Sequence, residues 1–343
     1  MNGEPLRVLE IYGDPTDFGR VHGSECRLMI RDYLDDRLGL SGDGTWAGRP
    51  AQSDTVLSLA EATLPYHLDY SPELYEEMAA MAEAAGISLA EAVVVGGFTD
   101  LVDVVRAHAG WAPIEDDCTA VLDPTNGVLA QTWDMHASAG DYVVMLKLDP
   151  ISGPDAVVQT TAGCLGQIGL NEAGIAVGIN NLTSVGKPGV TWPFVVRKVL
   201  QQTDLDSAIE AVTSADLAGG HNYLVMGPDG SGANIEAMPG TIEVTPVTAS
   251  PFVHTNHCLD DGTRLEEGER TPEHVTGSAT RLERGSELAQ DLDAFFAEPS
   301  IARRASSPED VATCGAVVIR PREKRLESVW GIPGDSPWES FQL

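Results

Sequence analysis

Lysine is nearly absent: only Lys147, Lys187, Lys198 and Lys324 stand among 21 basic residues, against 52 acidic ones, and the net charge is −31 over 343 residues. That balance repels a phosphate backbone and argues against nucleic acid as a partner. The acidic residues are spread along the chain rather than gathered in a tail, so they read as a solvated surface. Acid-rich, lysine-poor surfaces suit concentrated salt, where charge repulsion is screened within a few ångströms, and a halophilic source is the expectation.

Cysteine is scarce as well. The five, Cys26, Cys118, Cys164, Cys258 and Cys314, are odd in number, widely spaced and free of any C-x-x-C pair, which indicates neither a disulfide framework nor a zinc knuckle. Long apolar runs of about 18 residues are missing, and the start Met1-Asn2-Gly3-Glu4-Pro5-Leu6-Arg7 lacks the regions of a signal peptide. A soluble, cytoplasmic protein without a membrane partner is expected. There is no 20–50-residue repeat, no low-complexity linker and no phosphate-binding loop; the glycines between 163 and 178 lie among strands and read as tight turns.

What is present is enough apolar content, 43%, for a sizeable core. Residues 6–12 alternate as a strand, and Asp14-Pro15-Thr16-Asp17 caps a long helix reaching about residue 38. Residues 42–53 read as a loop. Ser71-Pro72-Glu73 opens a helix that Gly86 closes, and Ser88-Leu89-Ala90-Glu91 is a capping box for the next. After Pro113 the period changes from 3.6 towards 2. Segments 119–122 and 128–133 flank Asp123-Pro124-Thr125-Asn126-Gly127 as a hairpin, and further strands follow, with helices expected near 193–202, 204–213 and 278–292. Many antiparallel strands beside a few amphipathic helices imply layered sheets covered by helices.

Cys118, in Asp116-Asp117-Cys118-Thr119-Ala120-Val121, sits where the helix-rich first third gives way to strands. An internal thiol with nothing basic beside it is a poor nucleophile. Were the preceding peptide bond cut, the residue would carry its own base, since a free α-amino group has a pKa of about 8. The segment His254-Thr255-Asn256-His257-Cys258 invites a metal reading, but strand alternation puts His254 and His257 on opposite faces, which argues against a shared ion.

Six segments occur in one order: Gly13-Asp14-Pro15 with Phe18-Gly19-Arg20-Val21-His22-Gly23, the helical stretch 71–88, Asp117-Cys118-Thr119, Gln131-Thr132-Trp133-Asp134, the stretch from Gly166 to Gly174, and His254-Thr255-Asn256-His257. On these the chain resembles the acyl-coenzyme A:6-aminopenicillanic acid acyltransferase family, the penicillin acyltransferase branch of the N-terminal nucleophile hydrolases. The resemblance implies an α+β fold, a four-layer α-β-β-α sandwich, and a precursor that cleaves itself between Asp117 and Cys118. A helix-rich fragment 1–117 and a sheet-rich fragment 118–343 would then stay associated as one domain. It further implies Cys118 as nucleophile of a thioester intermediate, Asp134 to orient and balance the new ammonium, and Asn256 to donate to the oxyanion. Arg281 is a candidate for binding a substrate carboxylate through its fork of donors. No cofactor is implied, coenzyme A entering only as part of an acyl donor; the partner is a small acyl amide or acyl-coenzyme A substrate, and a homo-oligomer is left open. Asp117 stands where the family's prototype has glycine. Two other readings remain, an amidase of the bile-salt or acylethanolamine hydrolase type and a noncatalytic binding protein that keeps the fold.

Overall fold

The computed structural model describes residues 5–44, 48–110, 118–308 and 310–343. Strand β1 (Val8–Gly13) leads into helices α1 (Pro15–Glu25), α2 (Arg27–Asp43), α3 (Ser53–Tyr70), α4 (Pro72–Ala85), α5 (Leu89–Gly96) and α6 (Phe98–Ala109). Strands β2 (Cys118–Asp123), β3 (Val128–His136), β4 (Val143–Pro150), β5 (Ala156–Thr161), β6 (Ile168–Asn171) and β7 (Ala176–Leu182) follow. Helices α7 (Trp192–Val199) and α8 (Leu205–Thr213) precede β8 (Gly220–Met226), β9 (Gly232–Ala237), β10 (Ile242–Val247) and β11 (Phe252–His254). The chain closes with α9 (Pro272–Leu288), α10 (Leu292–Ala297), β12 (Val311–Arg320), β13 (Arg325–Trp330) and β14 (Glu339–Gln342).

Local chemistry sets the helix ends. Asp14 and Asp17 exchange side-chain and main-chain bonds as a capping box on α1, and Ser88 and Glu91 do the same on α5. Gly86, at φ 74°, closes α4 in the left-handed conformation that glycine adopts without a Cβ penalty. The long helix expected up to residue 38 is two helices. α1 lies against α4 so closely that a Cβ on Gly19 would stand 2.0 Å from the Glu77 carbonyl oxygen, and one on Gly23 would stand 2.3 Å from that of Met81. The chain turns at Cys26, and α2 then buries its own set, Ile30, Tyr33 and Leu34. The helix expected at 278–292 begins earlier, where Thr271 caps His274 N–H ahead of Pro272, and it ends at Leu288.

The strands form two sheets, β1-β4-β5-β6-β7-β8-β9-β10 and β11-β2-β3-β12-β13-β14, in which only the β1–β4 pair is parallel. They face one another. The Gln131 amide on β3 bonds both main-chain groups of Ile179 on β7, and Ser328 on β13 donates to Gln159 on β5 at 2.7 Å. Helices α1 to α8 cover the outer face of the larger sheet. On the smaller sheet Val121, Val128, Ala130, Val253, Ala316 and Val318 turn outward against Phe295 and Phe296 of α10. Ala120, Leu122, Leu129, Val317 and Ile319 turn inward into the main core. The four-layer α-β-β-α sandwich implied by the resemblance is therefore the architecture found.

Candidate active site

Cys118 is the first residue of β2, paired with Trp133 of β3, and both belong to the inward-facing set between the sheets. It is 5% exposed. Burial pushes the other thiols up, Cys26 and Cys164 to about 11 and Cys258 and Cys314 to about 12, so they are inert small apolar groups. Asp117, expected ahead of the scissile bond, lies outside the described residues.

Three elements converge on Cys118. The chain leaving β11 delivers Asn256, whose Oδ1 accepts the Cys118 N–H at 2.7 Å while its Nδ2 donates to the Asn181 carbonyl on β7 at 3.0 Å. The donor and the acceptor fix which end of the amide is which. Asn256 is pinned at its main chain too, its N–H on Ser278 Oγ of α9 at 3.1 Å and its carbonyl on Arg270 Nη1 at 2.9 Å. From α9 comes Arg281, 2% exposed, donating to the Cys118 carbonyl at 3.3 Å and to Asn256 Oδ1 at 3.2 Å. Arg281 was expected to meet a substrate carboxylate; its fork instead holds the protein's own nucleophile segment, because α9 lies directly over β2 and β11.

Asp134 is placed differently from expectation. Two residues beyond Thr132, whose partner is Thr119, its side chain takes the outer face, opposite the thiol, and accepts from Thr313 Oγ1 at 2.7 Å. What it offers Cys118 directly is its main-chain carbonyl, 3.9 Å from Sγ. Burial raises the Asp134 carboxyl to about 7, with Thr313 and the Arg281 charge pulling the other way. Its acidic proton is thus held near neutral pH.

The histidines beside Asn256 are structural. Both ring nitrogens of His254 face acceptors, Glu236 Oε1 at 2.8 Å and the Thr255 carbonyl at 2.8 Å, and His257 Nδ1 bonds Ser278 Oγ at 2.7 Å. Among the described residues no group of His, Cys, Asp and Glu is arranged to hold a metal ion. Burial would raise the Glu236 carboxyl, but bonds and charge from His254 with donors from Thr263 and the Leu259 N–H outweigh it and hold it at about 2. A carboxyl depressed in the fold stabilises above its unfolded pKa, and that contribution is lost as pH falls from about 4.5 towards 2. Acid unfolding followed by circular dichroism should therefore be steeper over this window in wild type than in Glu236→Gln. The difference expected is on the order of 2–3 kcal/mol.

A cavity of about 30 Å³, room for about one water molecule, borders Cys118. Trp133, Met135, Ile179 and Trp192 make its apolar walls, and Gln167, Asn181 and His221 bring polar groups. Gln167 Oε1 and Asn181 Oδ1 are buried without a described hydrogen-bond partner. Sequence reasoning did not single out Asn181 or His221, which lie 63 and 103 positions from Cys118 on other elements, and it held Gln167 only as part of the stretch from Gly166 to Gly174; the local sign of His221 is the Gly219-Gly220 pair ahead of it. A larger cavity of about 550 Å³ opens among α1, α4 and α7, over the Arg197–Glu77 pair, away from Cys118, and no cysteine lines its described wall.

Residues 121–333 match the family described as acyl-coenzyme A:6-aminopenicillanic acid acyl-transferase, a span that begins just past Cys118. The acyl-coenzyme A:6-aminopenicillanic-acid-acyltransferase 40 kDa form of Emericella nidulans is 27% identical over 252 residues, covering 72% of this chain and 68% of its own. Two solved structures overlay only loosely. A variant of conjugated bile acid hydrolase from Clostridium perfringens superposes with TM-score 0.47 and 9% identity, over 66% of this chain and 92% of that one. Penicillin V acylase from Agrobacterium tumefaciens gives 0.38 and 12%, over 66% and 86%.

Proposed function

Because the chain belongs to the acyl-coenzyme A:6-aminopenicillanic acid acyl-transferase family of acyl-transferring enzymes, we propose that it cuts itself between Asp117 and Cys118 and uses the freed cysteine as its nucleophile. The observation that carries this reading is the 2.7 Å bond from Cys118 N–H to Asn256 Oδ1, which holds in place the nitrogen that cleavage would turn into an α-amine. That amine takes the thiol proton, the thiolate attacks the acyl carbonyl, and the leaving amine or thiol collects the proton. A thioester on Cys118 results, which water or an amine then resolves. Hydrolysis of a small amide such as an N-acyl amino acid is the preferred reaction.

Asn256 has a double use in this scheme. One Nδ2 hydrogen is committed to the Asn181 carbonyl, and the second is the donor left for the oxyanion. One such donor contributes roughly 3–4 kcal/mol to the transition state, so Asn256→Ala should lower kcat/KM for acylation by about 10²–10³-fold. Asp134 acts through the Arg281 charge that both it and Asn256 share.

The test is chemical trapping. Incubation with an activated acyl ester, quenching in acid and mass analysis should show a fragment beginning at Cys118 that carries one acyl group at that residue. An acyl group found elsewhere, or none on any cysteine, would sink the reading.

A further inference from the structure

The cavity beside Cys118 contains an imidazole that the scheme above does not use. His221 is the second residue of β8 and pairs in register with Asn181 of β7, so the two side chains share a face and both border the cavity. Its Nδ1 lies 3.2 Å from Asp100 Oδ1 of α6, both residues being almost fully buried. The contact is within ion-pairing distance but not yet aligned as a hydrogen bond, and Oδ1 takes no hydrogen bond from any described residue. Loose alignment of this kind is usual in catalytic pairs before substrate arrives.

The pair is held from several sides. Asp100 Oδ2 accepts the Trp192 N–H at 2.8 Å, and the Trp192 indole donates to Thr99 Oγ1 at 3.1 Å, which fixes the apolar wall next to the imidazole. A Cβ on Gly219 would stand 2.3 Å from Asp100 Oδ1, so only glycine lets the carboxylate reach the ring. The other ring nitrogen, Nε2, has no hydrogen-bond partner among the described residues. The ring is buried, yet borders a space the size of one water that also touches the Cys118 residue.

We infer that His221, oriented by Asp100, is the general base that deacylates Cys118. Resting on the reading of Cys118 as the acylated residue, this assigns the two half-reactions to different bases. The α-amine serves acylation. In deacylation, a water in the cavity gives a proton to Nε2 as its oxygen bonds the thioester carbonyl carbon. The C–S bond then breaks with its electron pair passing to sulfur, the imidazolium returns a proton to the thiolate, and the free acid departs. Asp100 keeps the Nδ1 proton in place and pairs with the transient imidazolium.

The experiment compares wild type, His221→Gln and Asp100→Asn in the self-processed protein, mixed rapidly with a p-nitrophenyl ester of a short acyl chain. The expected wild-type trace is continuous release of nitrophenol. His221→Gln should release about one equivalent per chain and then continue roughly 10²–10⁴-fold more slowly, with the acyl adduct persisting on the Cys118 fragment. Asp100→Asn, which keeps the imidazole, should slow the same phase by less. Hydroxylamine, a nucleophile that needs no base, should restore turnover in His221→Gln, an effect that a merely structural role would not produce. Equal burst and steady rates in wild type and both variants would overturn the inference, as would a parallel loss of both phases in both variants without rescue. A wild type that never acylates Cys118 would remove the nucleophile reading, and this one with it.

Discussion

A Cys118→Ala protein is expected to remain a single chain of 343 residues, to fold as wild type does, and to turn over acyl substrates at least roughly 10⁴-fold more slowly. Folding should survive because the described Sγ contact, 3.9 Å from the Asp134 carbonyl, is weak, and removing one sulfur leaves little space behind. The main-chain bonds that define the site, from Cys118 N–H to Asn256 and from Arg281 to the Cys118 carbonyl, do not involve the thiol. What disappears is the atom that, in the proposed scheme, attacks both the preceding carbonyl and a substrate. Intact mass and ester turnover measured side by side check the result. Fragments ending at Asp117 in the alanine protein would mean an external protease makes the cut, and undiminished turnover would place the nucleophile elsewhere.

The largest effect on stability is expected at Arg197. Its guanidinium meets both Glu77 carboxylate oxygens, at 2.6 and 2.9 Å, and donates to the Leu165 carbonyl at 3.0 Å, with both side chains about 5% exposed or less. Burial raises the Glu77 carboxyl even against the Arg197 charge. Arg197→Met would leave that carboxylate buried without its cation, a loss of about 3–5 kcal/mol. The sign with pH follows from the same shift. With its folded pKa driven further above the unfolded value, Glu77 must be protonated to stay buried, so the variant should weaken progressively as pH rises above the ordinary carboxyl range. Thermal unfolding between pH 4 and 8 should show a gap from wild type that widens with pH, and Arg197→Met with Glu77→Leu should recover most of it. A gap independent of pH, or a double variant no better than the single, would mean that packing of the arginine stem rather than its charge is what matters.

Much of the frame was legible because the chemistry that sets it is local. The Asp14 and Ser88 capping boxes, the Gly86 stop and the turn after Asp123 each depend on residues within a few positions, and each stands where it was expected. Helix α3 was not legible. It follows directly on residues read as a loop, carries Pro65 in its interior, and is held by tertiary bonds such as His67 to Thr191 and Tyr70 to the Ala211 carbonyl. Within the site, Cys118 and Asn256 could be singled out from their segments. The face taken by Asp134 could not, since β3 is buried on both sides and its apolar pattern does not alternate. Nor could the partners of Arg281, which depend on how α9 crosses β2. His221 and Asp100 meet only because the start of β8 lies against α6, a contact 121 residues apart in the chain whose one local sign is the Gly219-Gly220 pair ahead of His221.

The Glu77–Arg197 clasp has one end in α4 and the other in α7, on opposite sides of the proposed cut, and β1 completes a sheet whose other seven strands lie beyond it. Neither piece is therefore a folding unit by itself: one would lack most of its strands, and the other would expose the sheet face that α1 to α6 cover. Scission would change the molecularity of folding. The uncut chain refolds as a first-order process, whereas the cut protein, once melted, must find its other half by collision, so its midpoint should rise with protein concentration and its recovery should fail on dilution. Maturation of this kind acts as a one-way valve, leaving a protein whose persistence is set by how slowly it opens rather than by how readily it re-forms.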